Sequence, residues 1–219
     1  MRQESSGSDQ EFVGLKFLYR PGATSSAPLI VLVHGRGGNV QVMWSFERSF
    51  PADAAVVSFE ATLPHKEVGG KSWWDLGASE PASSEDVLSA VQRVSYGVSA
   101  FLQLYGLSPS ATVFLGFSQG AALISAGLLS GVLHGDCFGL LCGFVPRFLF
   151  NSPAIEGTPK IFIAHGSLDQ TVSVDRARQG AQFLRDHGLR VTYIEEEVGH
   201  KLGIHCTRAL KTWLEDELR

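Results

Sequence analysis

The stretch ATVFLGFSQGAALISAGLL, Ala111 to Leu129, changes its period in the middle. Ala111 to Leu115 is an unbroken apolar run of strand length, the pattern of a strand covered on both faces in a parallel sheet. Gln119 to Leu129 has helical length and is rich in alanine and glycine, so a helix there can lie close against a sheet. At the junction stands Gly116-Phe117-Ser118-Gln119-Gly120, a G-x-S-x-G. In that context the glycines allow a sharp turn from strand to helix, which leaves the Ser118 hydroxyl exposed above the sheet near the positive end of the helix. A plain glycine-rich turn is the alternative, since five-residue matches occur by chance. The strand before and the helix after favour the nucleophile.

Outward from this junction the same alternation recurs. Strand-length apolar runs fall at Val13 to Tyr19, Leu29 to Val33, Ala54 to Phe59, Phe138 to Cys142, Lys160 to Ala164 and Val191 to Glu195. Ser83 and Asp86 resemble a capping box ahead of a 3.6-residue apolar period that Gly106 and Pro109 stop. Further helices fit Val174 to His187 and Gly203 to Leu218. Strands alternating with helices predict an α/β fold: a mostly parallel, doubly wound sheet with helices on both faces and no large cap domain. No linker or repeat divides the chain, so residues 11–219 are expected to form a single domain after a polar, serine-rich tail at residues 1–10. Ala61 to Ala82 follows neither period and reads as a long irregular loop, a frequent place for function.

Composition narrows the function. The 219 residues carry 18 Lys and Arg against 22 Asp and Glu, a net charge of −4, with the basic residues scattered, so nucleic acid has no electrostatic footprint here. No apolar stretch approaches the roughly 20 residues of a membrane span, and the first ten residues lack the apolar region of a signal peptide. A cytoplasmic protein is the expectation. Three cysteines, Cys137, Cys142 and Cys206, lack C-x-x-C spacing and read as buried thiols rather than a disulfide or zinc framework.

In open parallel sheets, ligands bind beyond the carboxyl ends of the strands, so the turns after each apolar run matter most. These turns read HGRGG (His34 to Gly38), GFSQG, HGSLDQTVS (His165 to Ser173) and VGHKLG (Val198 to Gly203). A serine hydroxyl needs a base within hydrogen-bond reach, and that base needs a carboxylate to orient it. His200 is the candidate base, because it follows the last strand and completes the order Ser, Asp, His. His34 and His165, each in an H-G turn, are better read as hydrogen-bonded braces. Asp169 is the candidate acid; Asp175 fits the first turn of a helix, and Glu195, Glu196 and Glu197 crowd one another at a strand end. The backbone N–H of Gln119 and one in the HGRGG loop, that of Arg36, are the candidate oxyanion donors. The same loop lacks the lysine and full spacing of a nucleotide site. Neither a metal nor an organic cofactor is called for.

The ordered set VLVHGRGGN, LPH…GGKSWWDL, GFSQGAAL, CGFVP, IAHGSLDQTV and VGHKL resembles the phospholipase/carboxylesterase group of α/β-hydrolases, which includes acyl-protein thioesterases and small esterases. The likeness spans Leu29 to Leu202. It implies a Ser118, Asp169, His200 triad with oxyanion amides at Arg36 and Gln119, acting through an acyl-enzyme on short to medium acyl esters or thioesters. Lysophospholipase or acyl-protein thioesterase activity is the near alternative, and a catalytically silent binding module the distant one. The chain departs from the group at GNV (Gly38 to Val40), where an acidic residue is common, and at Arg36, a position more often apolar in the thioesterases. Trp73, Trp74, Phe144, Val145 and Leu202 are the pocket candidates. The expected partner is a small-molecule or lipid acyl substrate, and a homodimer stays open.

Overall fold

The computed structural model describes residues 10–12, 14–65, 69–75, 82–153, 155 and 157–219. The described residues form ten strands: β1 (Gln10–Phe12), β2 (Leu15–Arg20), β3 (Leu29–Val33), β4 (Ala55–Phe59), β5 (Leu63–Pro64), β6 (Lys71–Ser72), β7 (Thr112–Phe117), β8 (Cys137–Leu141), β9 (Lys160–Gly166) and β10 (Arg190–Glu196). The four α-helices are α1 (Ser84–Tyr105), α2 (Gln119–Leu129), α3 (Val174–Asp186) and α4 (Ile204–Glu217). Eight strands form one sheet in the order β1-β2-β4-β3-β7-β8-β9-β10. From β4 to β10 every pairing is parallel, while β1 and β2 join the edge antiparallel.

Both faces of this sheet are covered, and the sequence shows why. Leu29, Val31 and Val33 of β3, with Ala55, Val57 and Phe59 of β4, pack with α1, α2 and α3 in one apolar cluster. The intervening Ile30, Leu32 and Val56 pack on the other side with Met43, Leu210, Trp213 and Leu214. Alternate residues thus serve two cores, which is why the strands read as continuous apolar runs. The helix α2 is buried along its whole length, so it is apolar all round rather than on one stripe. Helix α1 begins as expected: Ser83 Oγ accepts the Asp86 N–H at 3.0 Å, and Gly106 closes the far end at φ 61°.

The register places every parallel strand's C-terminal end on one edge. Val33 is level with Gly116, Gly116 with Leu140, Leu141 with Ala164, and Gly166 with Glu196. Four turns expected to carry chemistry therefore open on the same side.

Some expectations shift. The sequence reads as a tail through residue 10, but Gln10 opens β1, and residues 1–9 lie outside the described residues. The first strand starts at Leu15 rather than Val13, with β1 paired ahead of it. The segment 61–82 contains the antiparallel pair β5–β6; two-residue strands are too short to show a period. A 3₁₀ helix at Val42–Ser49 also lacked a signal, because no side-chain cap bond announces it.

Packing between α2 and the strands leaves no room for a side chain at the contact. A Cβ at Gly120 would stand 2.1 Å from the Val33 carbonyl oxygen, which is backbone and cannot step aside. Gly120→Ala is accordingly expected to lower the stability by about 2 kcal/mol or more, seen as a fall in the urea midpoint. Ser83→Ala, which removes only a helix cap, should cost about 1 kcal/mol.

Candidate active site

Ser118 stands between β7 and α2 with φ 52° and ψ −113°, a positive-φ conformation rare for a residue with a side chain. The Ser118 N–H donates to the Leu141 carbonyl at 2.8 Å, and its carbonyl accepts the Ala122 N–H at 3.1 Å. These bonds hold the strain in place. Neither Gly116 nor Gly120 has a positive φ. Their role is close approach: a Cβ on Gly116 would lie 2.4 Å from the Gly120 carbonyl oxygen. The sharp turn is made by the serine itself, and the glycines remove the side chains that would block it.

His200 lies beyond β10, where Nε2 is 3.0 Å from Ser118 Oγ and Nδ1 is 2.6 Å from Asp169 Oδ2. The Asp169 side chain is fully buried, whereas that of His200 is 23% exposed. The other carboxylate oxygen, Oδ1, accepts the N–H groups of Thr171 and Val172 at 2.8 and 2.9 Å. Burial raises the Asp169 pKa, but the bonds from His200, Val172 and Thr171 outweigh it and hold the carboxyl below its usual value. Asp169 thus stays ionised while oriented toward the ring. The ring of Phe117 packs 5.1 Å from that of His200, which limits where the imidazole can swing.

Two other histidines brace this edge. His34 is fully buried; Nδ1 donates to the Gly35 carbonyl at 2.6 Å, Nε2 accepts the Ala61 N–H at 3.0 Å, and burial lowers its pKa. His165 Nε2 donates to the Val172 carbonyl at 2.8 Å and lies 3.3 Å from Asp169 Oδ2, and burial lowers its pKa too. Both rings are therefore held neutral near pH 7.

The HGRGG loop is fixed from the β5–β6 side. Lys71 N–H donates to the Gly38 carbonyl at 2.8 Å, and a Cβ on Gly70 would meet the Gly37 carbonyl oxygen at 2.1 Å. Trp73 Nε1 donates to the His34 carbonyl at 2.8 Å. The Gln119 side chain bridges to the same segment, accepting from Trp73 N–H and donating to the Trp74 carbonyl, each at 3.0 Å. Among the described residues the backbone N–H groups of Arg36 and Gln119 donate to no protein acceptor.

Arg36, Ser118 and Gln119 line a cleft of about 480 Å³ together with Trp74, Phe144 and Arg176. Trp74 and Phe144 were expected there. Trp73, Val145 and Leu202 are not among the lining residues, and each has a physical reason. Trp73 is 1% exposed and turned inward to His34. Val145 packs under α3 against Gly180. Leu202 packs on the opposite core with α4. Sequence reasoning missed Arg147, Phe148, Val172 and Arg176, which reach the cleft from a 3₁₀ turn at Arg147–Leu149, from the turn ahead of α3 and from the first turn of α3; no motif marks them. A larger cleft, about 610 Å³, sits at the opposite ends of the strands near Asp136 and Lys160 and holds none of the residues above.

Among the described residues no group of three or more His, Cys, Asp or Glu is placed to hold a metal ion, and no helix is long and apolar enough to cross a membrane. All three cysteines are buried free thiols, with burial pushing Cys137 up to about 11, Cys142 to about 12 and Cys206 to about 11.

A family profile described as Phospholipase/Carboxylesterase matches residues 20–216. Among individual relatives, the esterase YpfH of Escherichia coli is 27% identical over 187 residues, covering 80% of this chain and 76% of its own. Acyl-protein thioesterase 1 of Emericella nidulans is 27% identical over 176 residues, covering 75% and 73%. The crystal structure of the Bacillus cereus carboxylesterase shares the fold with a TM-score of 0.80 at 20% identity, covering 93% of this chain and 94% of the other. The chain belongs to the phospholipase/carboxylesterase family of α/β-hydrolases.

Proposed function

We propose that the chain is a serine carboxylic-ester hydrolase that acts on short to medium acyl esters or thioesters through an acyl-enzyme intermediate. The observation that carries this reading is the continuous relay Ser118 Oγ, His200, Asp169, with contacts of 3.0 and 2.6 Å. In it, Ser118 Oγ attacks the carbonyl carbon while His200 Nε2 takes the hydroxyl proton. Asp169, kept ionised, fixes the tautomer that leaves Nε2 free to accept and stabilises the imidazolium that forms. The N–H groups of Arg36 and Gln119 hold the negative charge that develops on the carbonyl oxygen. Collapse of the tetrahedral species breaks the ester or thioester bond, and His200 returns its proton to the departing alcohol or thiol. Water then attacks acyl-Ser118 with His200 again as base, releasing the acid and restoring the serine. The esterase and thioesterase names of two relatives support this reaction class.

Hydrolysis of short and medium p-nitrophenyl esters tests it. The folded wild type should turn them over and react with a fluorophosphonate at Ser118, while Ser118→Ala should lose kcat by about 10⁴ or more and escape labelling. An inactive, unlabelled but folded wild type would sink the proposal. Gln119→Ala should be far milder, because its proposed contribution is a backbone amide. It does leave Trp73 N–H and the Trp74 carbonyl without their side-chain partner, so a stability loss of about 1–3 kcal/mol should accompany it.

Asp169 also fixes a pH dependence. Its native pKa lies below the ordinary aspartate value of about 3.9. The unfolded chain therefore binds this proton first as pH falls. The stability it contributes is complete above about pH 4 and is lost as pH drops through the depressed native value. Asp169→Asn should flatten that acid limb relative to wild type in urea midpoints measured from pH 2 to 6, and should lower kcat by about 10⁴.

A further inference from the structure

Three arginines, Arg36, Arg147 and Arg176, line the cleft that holds Ser118, and no aspartate or glutamate lines it among the described residues. None of the three forms an ion pair with a described carboxylate. Arg178, two residues along α3 from Arg176, shows the contrast: it is bound to both oxygens of Glu195 at 2.7 Å and to Asp175 at 3.0 Å. Arg176 is instead laid over the Phe144 ring, with its guanidinium carbon 3.5 Å from the ring centroid. That contact fixes a cation at the cleft wall.

Arg176 is exposed, and its surroundings favour a negative group beside it. It stands in the first turn of α3, where the helix dipole disfavours positive charge. Desolvation, and after it the charge of Arg147, lower its pKa. Two like charges near an apolar wall, paired with no carboxylate among the described residues, are stabilised by an anion that enters between them.

We propose that Arg147 and Arg176, with Arg36 on the same cleft, bind an anionic oxyacid group of the substrate, a carboxylate or a phosphate, so that the enzyme selects esters carrying such a group a few bonds from the scissile carbonyl. This rests on the ester-hydrolase reading of Ser118. The chemistry is unchanged and balanced: water adds across the acyl–oxygen bond, the alcohol leaves with a proton, the acid is released, and the added anionic group stays intact on whichever of the two products carries it. Arginine suits this role because its planar fork matches a carboxylate or phosphate edge and it stays charged at any working pH.

Two matched pairs of substrates test it and separate the two anions. Monomethyl adipate against dimethyl adipate reports a carboxylate on the acyl side; 1-acetylglycerol 3-phosphate against 1-acetylglycerol reports a phosphate on the alcohol side. In at least one pair the anionic member should have the higher kcat/KM, by about tenfold or more. Arg147→Gln and Arg176→Met should each bring that ratio down toward one, as should raised salt; Arg147 is exposed, so its variant has little reason to misfold. Equal kcat/KM within both pairs, in a protein that hydrolyses p-nitrophenyl esters, overturns the anion site and leaves the hydrolase standing. A protein inactive on every ester overturns the hydrolase reading instead. Binding then decides the anion site separately: calorimetry with adipate and glycerol 3-phosphate should show an arginine-dependent complex with Ser118→Ala, and the absence of binding by both overturns the site.

Discussion

A Cβ on Gly120 would sit 2.1 Å from the Val33 carbonyl oxygen, and one on Gly116 would sit 2.4 Å from that of Gly120. Helix α2 therefore leaves β7 at a distance that only glycine permits, and this closeness forces the turn at Ser118 into φ 52°. The strain is sustained because both ends are anchored: the Ser118 N–H to β8 through Leu141, and its carbonyl to α2 through Ala122. Position, exposure and helix-end orientation of the hydroxyl all follow from that one contact between a helix and a sheet. Gly143 extends the constraint, since a Cβ there would stand 2.2 Å from that of Ala121.

The partners of Ser118 are set by a second approach of backbones, between the loops that follow β9 and β10. A Cβ on Gly166 would meet the Gly199 and Val198 carbonyl oxygens at 2.2 and 2.3 Å, and the N–H groups of Ser167 and Leu168 donate across to Glu196 and Val198. Asp169 and His200 are thus carried on two loops locked together, 31 residues apart in sequence and 2.6 Å apart between Oδ2 and Nδ1. Neighbouring His165 spans the same junction, bonded to the Val172 carbonyl and close to Asp169. The other buried histidine, His34, performs the equivalent service for the loop of Arg36. Each is a neutral ring that ties a turn to its surroundings, so the edge is stiffened by imidazoles that take no part in the proposed proton transfer.

What the sequence made legible follows from how local each determinant is. The sheet could be read because alternate residues of β3 and β4 face two cores, leaving Ser58 as the one polar side chain in the two runs. Ser118 could be read because a close approach demands glycine at fixed offsets. Asp169 and His200 could be read as candidates by their place after strands. The cleft wall could not. Trp73 and Trp74 are adjacent and chemically identical, yet the first is drawn inward by its bond to the His34 carbonyl while the second borders the cleft. Leu202, close to His200 in sequence, points to the far core because α4 begins there. Arg147 and Arg176 come from separate elements whose meeting depends on tertiary packing, so neither carries a pattern of its own.

That same difference in locality bears on the electrostatics. The chain as a whole is acidic, with a net charge of −4, and total charge would suggest weak attraction for anions. Surface charges are screened over roughly 10 Å at ordinary salt, however, so the field at the Ser118 cleft is governed by what lines it. Three arginines line it, one of them held over an aromatic ring. In the proposed reaction, the oxyanion on the substrate carbonyl develops in this positive setting, in addition to the bonds proposed from the Arg36 and Gln119 amides. The cleft wall and the proposed oxyanion donors therefore carry the same sign: the amides lie in the turns that follow β3 and β7, and the guanidiniums come from that same β3 turn, from the 3₁₀ segment and from the first turn of α3.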